Sequence, residues 1–281
     1  MKDIKIKCPA KINLTLEVVN RRADGFHNIK SIMQLISLYD FLTIKIGHAD
    51  SNKITLDGNC TEIPYNEKNL VYKACDLFLK ESEIKNCEIK IFIEKNIPIS
   101  AGLAGGSTDA AGTLYGLNKL LNTFDNHKLN ELCARLGSDL NVCLNGGCVL
   151  ATSRGEVTQS MPVINRPVTL VKPIHLGISA KEAYTKYSEK KFKPKNNMTE
   201  KMIEALTNEQ DIEPYLYNDL EYAVFDDYKE LQEIKKAYPN AIMSGSGSTY
   251  FVLENIEKST LGSEYILINN IEFIKNGVNI A

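Results

Sequence analysis

The sequence predicts an α+β fold in two domains, residues 1–160 and 161–281, for three reasons. Its 281 residues suffice for one large domain or two of ordinary size. Stretches of alternating apolar residues, which read as mixed and partly antiparallel strands, are interspersed with helical spacings and do not follow the rhythm of a doubly wound sheet. Around residues 155–167 the texture changes to EVTQSMPVINRP, which marks a boundary between domains.

In AKINLTLEVVN, Ile12, Leu14, Leu16 and Val18 fall on one face of a strand, and Lys11, Asn13, Thr15 and Glu17 on the other. RRADGFHN is a turn signalled by Asp24-Gly25, and SIMQLISLYDFLTIKI continues as strand. Residues 69–80 carry Leu70, Val71, Ala74, Leu77 and Phe78 at helical spacing. EIKIFIEK alternates again. A helix opens near Ser107, with Ala110, Ala111, Leu114, Leu117 and Leu121 on one side. HKLNELCARLG is a second helix stopped by Gly137. SDLNVCL starts a short third helix with Ser138 or Asp139 near its cap, and GGCVLATSRGE leads out as strand. Beyond the boundary VTLVKPIHL is strand, SAKEAYTKY starts with a capping box of Ser179 and Glu182, and a polar loop runs to 198. Residues 199–207 and 218–236 are helical, AIMSGSGSTYFVLE is strand, glycine turn and strand, and the tail from 255 alternates weakly.

The composition narrows the function. A net charge of -2 gives no general attraction to nucleic acid, and the basic run at 190–195 reads as a solvated loop. No apolar run approaches the ~20 residues of a membrane span, and the N-terminus lacks the apolar core of a signal peptide. The 7 cysteines are odd in number and show no CxxC pair. A cytoplasmic protein with reduced, mostly buried thiols is therefore expected. The 4 histidines are scattered, without metal-ligand spacing.

Residues 97–114 read IPISAGLAGGSTDAAGTL, and more than half of them are Gly, Ala or Ser. Neither G-x-x-x-x-G-K-[ST] nor G-x-G-x-x-G is present. The physics behind those motifs still applies, since glycines before a helix let phosphate oxygens reach its unpaired N–H groups and positive dipole end. A tight packing turn with Ser107 as an ordinary cap explains the same composition. Lys11 and Asn13 share a face, though an exposed lysine is the commoner fate on a strand. Asp139 follows a glycine stop, where a cap is the simpler role.

Taken together, PAKINL, GLAGGSTDAA, LGSDLN and MSGSGST resemble the signatures of the GHMP small-molecule kinase superfamily, in the right order over nearly the whole chain. RADGFH beside PAKINL is similar to the branch of that superfamily which phosphorylates a cytidine diphosphate sugar alcohol in non-mevalonate isoprenoid synthesis. The resemblance implies a ribosomal-protein-S5-like first half and a ferredoxin-like second half, with the active site between them. It implies that Pro98, Ile99, Ser100, Ala101, Gly102, Leu103, Ala104, Gly105, Gly106, Ser107 and Thr108 wrap the ATP phosphates, with Ala104 where a glycine is usual. Asn69, Leu70 and Val71 fall where such enzymes touch adenine. Lys11 matches the active-site lysine and Asp139 the proposed base, while Asn13 would hydrogen-bond the acceptor. His27 meets the cytosine edge, Phe26 stands where tyrosine is more usual, and Tyr184 supplies a stacking ring. Gly245 and Ser246, in the stretch to Thr249, support the substrate phosphates. ATP and Mg2+ are the implied cofactors, with Ser107 as a metal ligand, and the protein is expected to be a monomer or homodimer binding only small molecules. The rival expectations are a related kinase acting on mevalonate, phosphomevalonate or homoserine, and a nucleotide-binding protein without catalysis.

Overall fold

The computed structural model describes residues 2–190 and 197–281. The basic run at 190–195 lies outside them, apart from Lys190. The first sheet is built on a long antiparallel hairpin, β1 (Lys2–Arg21) and β2 (His27–His48), closed by the RADGF turn. After β3 (Lys53–Gly58) come α1 (Leu70–Ser82), β4 (Cys87–Glu94), α2 (Gly105–Leu121), α3 (Asn126–Leu136), α4 (Leu140–Asn145), β5 (Cys148–Ser153) and β6 (Val157–Met161). β4 lies antiparallel to β2 and parallel to β3, while β5 bridges β2 and β6.

The chain then crosses to a four-stranded sheet. Its elements are β7 (Pro167–Pro173), α5 (Ala180–Glu189), α6 (Met198–Thr207), β8 (Tyr217–Asn218), α7 (Asp219–Val224), α8 (Lys229–Ala237), β9 (Ile242–Met243), β10 (Tyr250–Val252), β11 (Tyr265–Glu272) and β12 (Asn279–Ile280). The order in that sheet is β11-β7-β10-β9, all antiparallel; β8 and β12 instead return to β1.

The sequence pattern explains these elements locally. In α1, Asn69 caps the helix by accepting from the Val71 N–H at 2.9 Å, and Val71, Ala74, Cys75, Phe78 and Leu79 are buried. α2 lies unusually close to β1 and β2, because a Cβ at Gly112 would stand 2.4 Å from Cys8 Sγ and one at Gly116 2.5 Å from Ile44 Cδ1. Any side chain there would push the helix off the sheet. Successive apolar residues of β1 enter successive core clusters: Ile6 and Cys8 with α1 and α2, then Ala10, Ile12 and Leu14, then Leu16 and Val18 with α7 and α8. The outer edge of β1 is covered in three places. β12 pairs at Ile6 and Lys7, β8 pairs at Thr15 and Leu16, and between them the Lys11 N–H donates to Leu103 O at 3.1 Å.

Four local readings differ from the sequence pattern. The helix expected over 218–236 breaks into α7, a 3-10 turn at Phe225–Asp227 and α8. Asp227 is drawn to Lys186 at 2.9 Å and Tyr228 OH to Glu182, both on α5, which pulls the chain out of helical geometry. β3 and the largely exposed β6 carry too little apolar alternation to be read from sequence. Gly137 ends α3 in an extended conformation, φ 173°, and not in the left-handed one. The capping box at Ser179 is half made: Ser179 Oγ accepts from the Glu182 N–H, while the Glu182 carboxylate bonds Tyr228 and Lys186.

Candidate active site

Lys11 is 3% exposed, not the surface lysine that its residue type suggests. Its Nζ donates to Asn13 Oδ1 at 2.7 Å and to Gly102 O at 2.9 Å, and lies 3.8 Å from Asp139 Oδ2. Asn13 in turn donates from Nδ2 to Ser31 Oγ at 2.8 Å. A buried ammonium survives only when its protons are taken up, and here two oxygens and a nearby carboxylate take them. Asp139 precedes α4, yet its side chain makes no capping bond. The capping role that its position suggests is not the one it plays.

The two glycine segments meet. Gly102 has φ 73°, and a Cβ on it would lie 2.0 Å from Ser244 O. Gly245 has φ 55°, and a Cβ there would stand 2.9 Å from Gly102 O and 3.1 Å from Lys11 Nζ. Ser244 Oγ donates to Gly102 O at 3.0 Å, so this carbonyl accepts from both Ser244 and Lys11. At this end of the loop small residues serve close packing. At the other end Gly106 has nothing within 4 Å of a Cβ. The first helical bond of α2 is Thr108 N–H to Ala104 O at 2.9 Å, and no side chain caps the helix. The amides of Gly105, Gly106 and Ser107 therefore stand without helical partners at the positive end of a 17-residue helix.

Ala104 adopts φ 61°, a left-handed conformation that costs an L-residue roughly 1–2 kcal/mol. Glycine adopts it freely but gains entropy when unfolded. Ala104→Gly should therefore raise the unfolding free energy by up to about 1 kcal/mol. A denaturant midpoint unchanged or lowered at constant slope would contradict that account.

A cleft of about 870 Å3 is lined by Lys11, Asn13, Phe26, His27, Gly102, Ala104, Ser107, Asp139, Tyr184, Gly245 and Ser246. A second, of about 390 Å3, is lined by Asn69, Leu70 and the loop from Pro98 to Ser107. Gly102, Ala104 and Ser107 line both, so the loop is the wall that the two clefts share. Two residues expected at the nucleotide face neither cleft. Val71 points into the core, 1% exposed, because it lies on the apolar stripe of α1. Thr108 is fully buried, and its N–H is already bonded within the helix.

At the far end of the larger cleft His27 stacks on Tyr184, with ring centroids 5.0 Å apart and an interplanar angle of 15°. Tyr187 meets the imidazole edge-on at 6.2 Å, and Ser188 Oγ lies 3.2 Å from Nε2. Burial, with a smaller push from Arg21, holds the imidazole below the ordinary histidine range and so favours its neutral form. Phe26 is 55% exposed, with the Arg154 guanidinium 5.3 Å from its ring centroid.

The sequence reading missed three groups. Arg154, which lines the larger cleft, sits in the turn between β5 and β6 without a motif of its own. The second is Asn218, buried at the end of β8. The third is a buried triad at the base of the loop, where Lys95 Nζ pairs with Asp40 and, at 2.8 Å, with Asp109 Oδ2. Asp40 Oδ1 also accepts the Asn96 and Ile97 N–H groups at 2.6 and 2.8 Å. The triad thus pins the entry to the loop to β2 and α2. Burial pushes the Asp109 carboxyl up to about 7, against the pull of Lys95 and with the push of Asp40. A carboxyl raised in the folded state contributes stability that is complete below about pH 4 and lost as pH rises through about 7. Unfolding midpoints measured from about pH 5.5 to 8 should fall in the native protein and less steeply in Asp109→Asn. Equal slopes would show that Asp109 is ionised throughout.

A glycine-walled helix N-terminus beside a buried lysine paired with an aspartate defines a small-molecule kinase of the GHMP class, and the family described as GHMP kinases N terminal domain matches residues 69–150. The chain is 39% identical over 264 residues to the 4-diphosphocytidyl-2-C-methyl-D-erythritol kinase of Caldanaerobacter subterraneus subsp. tengcongensis, covering 91% of this chain and 90% of that one. It is 40% identical over 257 residues to the kinase of the same name from Clostridium botulinum, covering 88% and 90%. A crystal structure of 4-(cytidine 5'-diphospho)-2C-methyl-D-erythritol kinase superposes with a TM-score of 0.74 at 30% identity, covering 89% of this chain and 90% of that one. Homoserine kinase from Cytophaga hutchinsonii shares the fold, with a TM-score of 0.78 at 18% identity and coverage of 100% and 98%. The chain belongs to the 4-diphosphocytidyl-2-C-methyl-D-erythritol kinase family. Among the described residues no helix is long and apolar enough to cross a membrane.

Proposed function

We infer that the protein transfers the γ-phosphoryl group of ATP to the 2-hydroxyl of 4-diphosphocytidyl-2-C-methylerythritol, a step in non-mevalonate isoprenoid precursor synthesis. The observation that carries this reading is a single cleft with Lys11 and Asp139 3.8 Å apart at one end and stacked His27 and Tyr184 at the other. Phosphoryl transfer needs positioning and charge stabilisation more than covalent chemistry, and the cleft offers both. The acceptor's cytosine lies at the His27–Tyr184 end, with its diphosphate at Gly245 and Ser246. Asn13 positions the hydroxyl, and Asp139 takes its proton as the γ-phosphoryl group arrives. Lys11 and the amides of Gly105, Gly106 and Ser107 stabilise the charge that develops. Adenine occupies the smaller cleft beside Asn69 and Leu70.

No group of three or more His, Cys, Asp or Glu that could hold a metal is present among the described residues. That suits Mg2+, which keeps several waters and binds through phosphates and one or two protein oxygens. Ser107 Oγ, which lines the same cleft, would help hold it, and the ion would neutralise charge on the ATP phosphates. The two halves, 1–160 and 161–281, serve as the S5-like and ferredoxin-like walls of the site. The seven free cysteines fit a reducing, cytoplasmic setting.

ADP release measured with a panel of hydroxyl acceptors tests the reading. Turnover of the cytidine diphosphate substrate, and negligible turnover of mevalonate or homoserine, is the expected result. Comparable rates on mevalonate would defeat it. His27→Ala should lose about 1–3 kcal/mol of acceptor specificity, the usual cost of an unsatisfied polar group, read in kcat/KM for the acceptor with ATP kinetics unchanged. Wild-type acceptor kinetics in that variant would remove His27 from the cytosine site.

A further inference from the structure

We propose that Asn218, a residue that touches neither cleft, is a positioning residue for the transfer step, setting the location of the Lys11 ammonium through the second glycine segment. Asn218 is 1% exposed and lies in β8, paired with Leu16 of β1. Its Nδ2 donates to Met243 O at 2.6 Å and Gly245 O at 2.8 Å, and its Oδ1 accepts from the Leu220 N–H at 2.9 Å. One amide therefore fixes the carbonyls on either side of Ser244. Glu221, one turn along α7, accepts the Met243 N–H at 3.0 Å and holds the same strand end. Ser244 then donates from Oγ to Gly102 O, the carbonyl that also receives Lys11 Nζ.

The path from Asn218 to the reacting centre is thus one hydrogen-bonded relay: Asn218, the 243–245 backbone, Ser244 Oγ, Gly102 O, Lys11 Nζ. The Gly245 backbone passes directly beside that ammonium, since a Cβ there would lie 3.1 Å from Nζ. Because β8 is a strand partner of β1, the segment is referenced to the strand that carries Lys11 and Asn13. A polar side chain with every atom used and no access to substrate contributes only geometry. Geometry is what phosphoryl transfer is sensitive to, and a displacement of about 1 Å can cost about 10²-fold.

This inference rests on the role given to Lys11 above, and turnover by the wild-type enzyme tests that role separately. Asn218→Asp keeps the shape and the capping oxygen but turns a carboxylate towards two carbonyls. Ser244→Ala cuts the relay at its next link with little change in volume. Each should lower kcat, referred to folded protein, by about 10- to 10²-fold, with ATP KM changed less than about threefold. Because both act through one segment, the double variant should lose much less than the product of the two effects. If Asn218→Asp lowers the melting temperature while kcat stays within about twofold, or if the two effects multiply, Asn218 is only a structural residue. Should Asn218→Asp fail to fold, Ser244→Ala decides alone. A loss of about tenfold or more in kcat at unchanged ATP KM supports the relay, and a smaller loss overturns it.

Discussion

Asp139→Asn is expected to leave ATP binding near the native level and to lower kcat by roughly 10²-fold or more, the scale of a lost general base. The substitution is close to isosteric. Since the Asp139 side chain makes no capping bond to α4, removing its charge costs the helix little. Lys11 keeps its bonds to Asn13 Oδ1 and Gly102 O, so the ammonium stays in place. What disappears is the carboxylate beside that ammonium and, in the proposed mechanism, the group that takes the acceptor's proton. Single-turnover rates, ATP affinity and melting temperature measured together separate the effects. A folded variant with more than half the native kcat would show that Asp139 is no base.

Gly106→Val should raise the KM for ATP by about 10- to 10²-fold, with the acceptor KM little changed, since losing charge-assisted bonds to phosphate costs about 1.5–3 kcal/mol. This residue sits in the first turn of α2 without a positive φ, and nothing lies within 4 Å of the Cβ position. Valine therefore fits the protein but occupies the space over the open amides. That distinguishes Gly106 from Gly102, where any side chain would collide with Ser244 O. A stable Gly106→Val enzyme with native ATP KM would mean that the phosphates do not approach α2 here.

The question raised by the glycine-rich stretch has two answers, and the sequence allowed for both. Gly102 is small because two backbones touch, while Gly106 is small where space is left open. Composition cannot assign one reason to each residue, because the difference depends on the 243–249 segment, more than a hundred residues away. Strand periodicity placed Lys11 and Asn13 on one face, but not in the interior, where burial depends on what covers that face. Asn218 was illegible for a simpler reason: an asparagine ahead of a helix is already explained as a cap, and its second use appears only once Met243 and Gly245 lie beside it. Lys95 was read only as the end of an alternating strand, and its partners Asp40 and Asp109 come from two other elements. The helix predicted over 218–236 failed where tertiary attraction to α5 outweighed local propensity.

β1 leaves the ribosome before the chain that covers its outer edge: Leu103, then Tyr217 and Asn218, then Asn279 and Ile280. For most of translation the nascent hairpin of β1 and β2 therefore presents unpaired N–H and C=O groups, a template for pairing with a neighbouring chain. Lys2, Asp3, Lys5 and Lys7 at the start of β1 put charge on that edge during the interval and discourage such pairing. The same order of events means that the Lys11 site is assembled only after residue 245 has been made, so no fragment ending before that point carries the complete cleft.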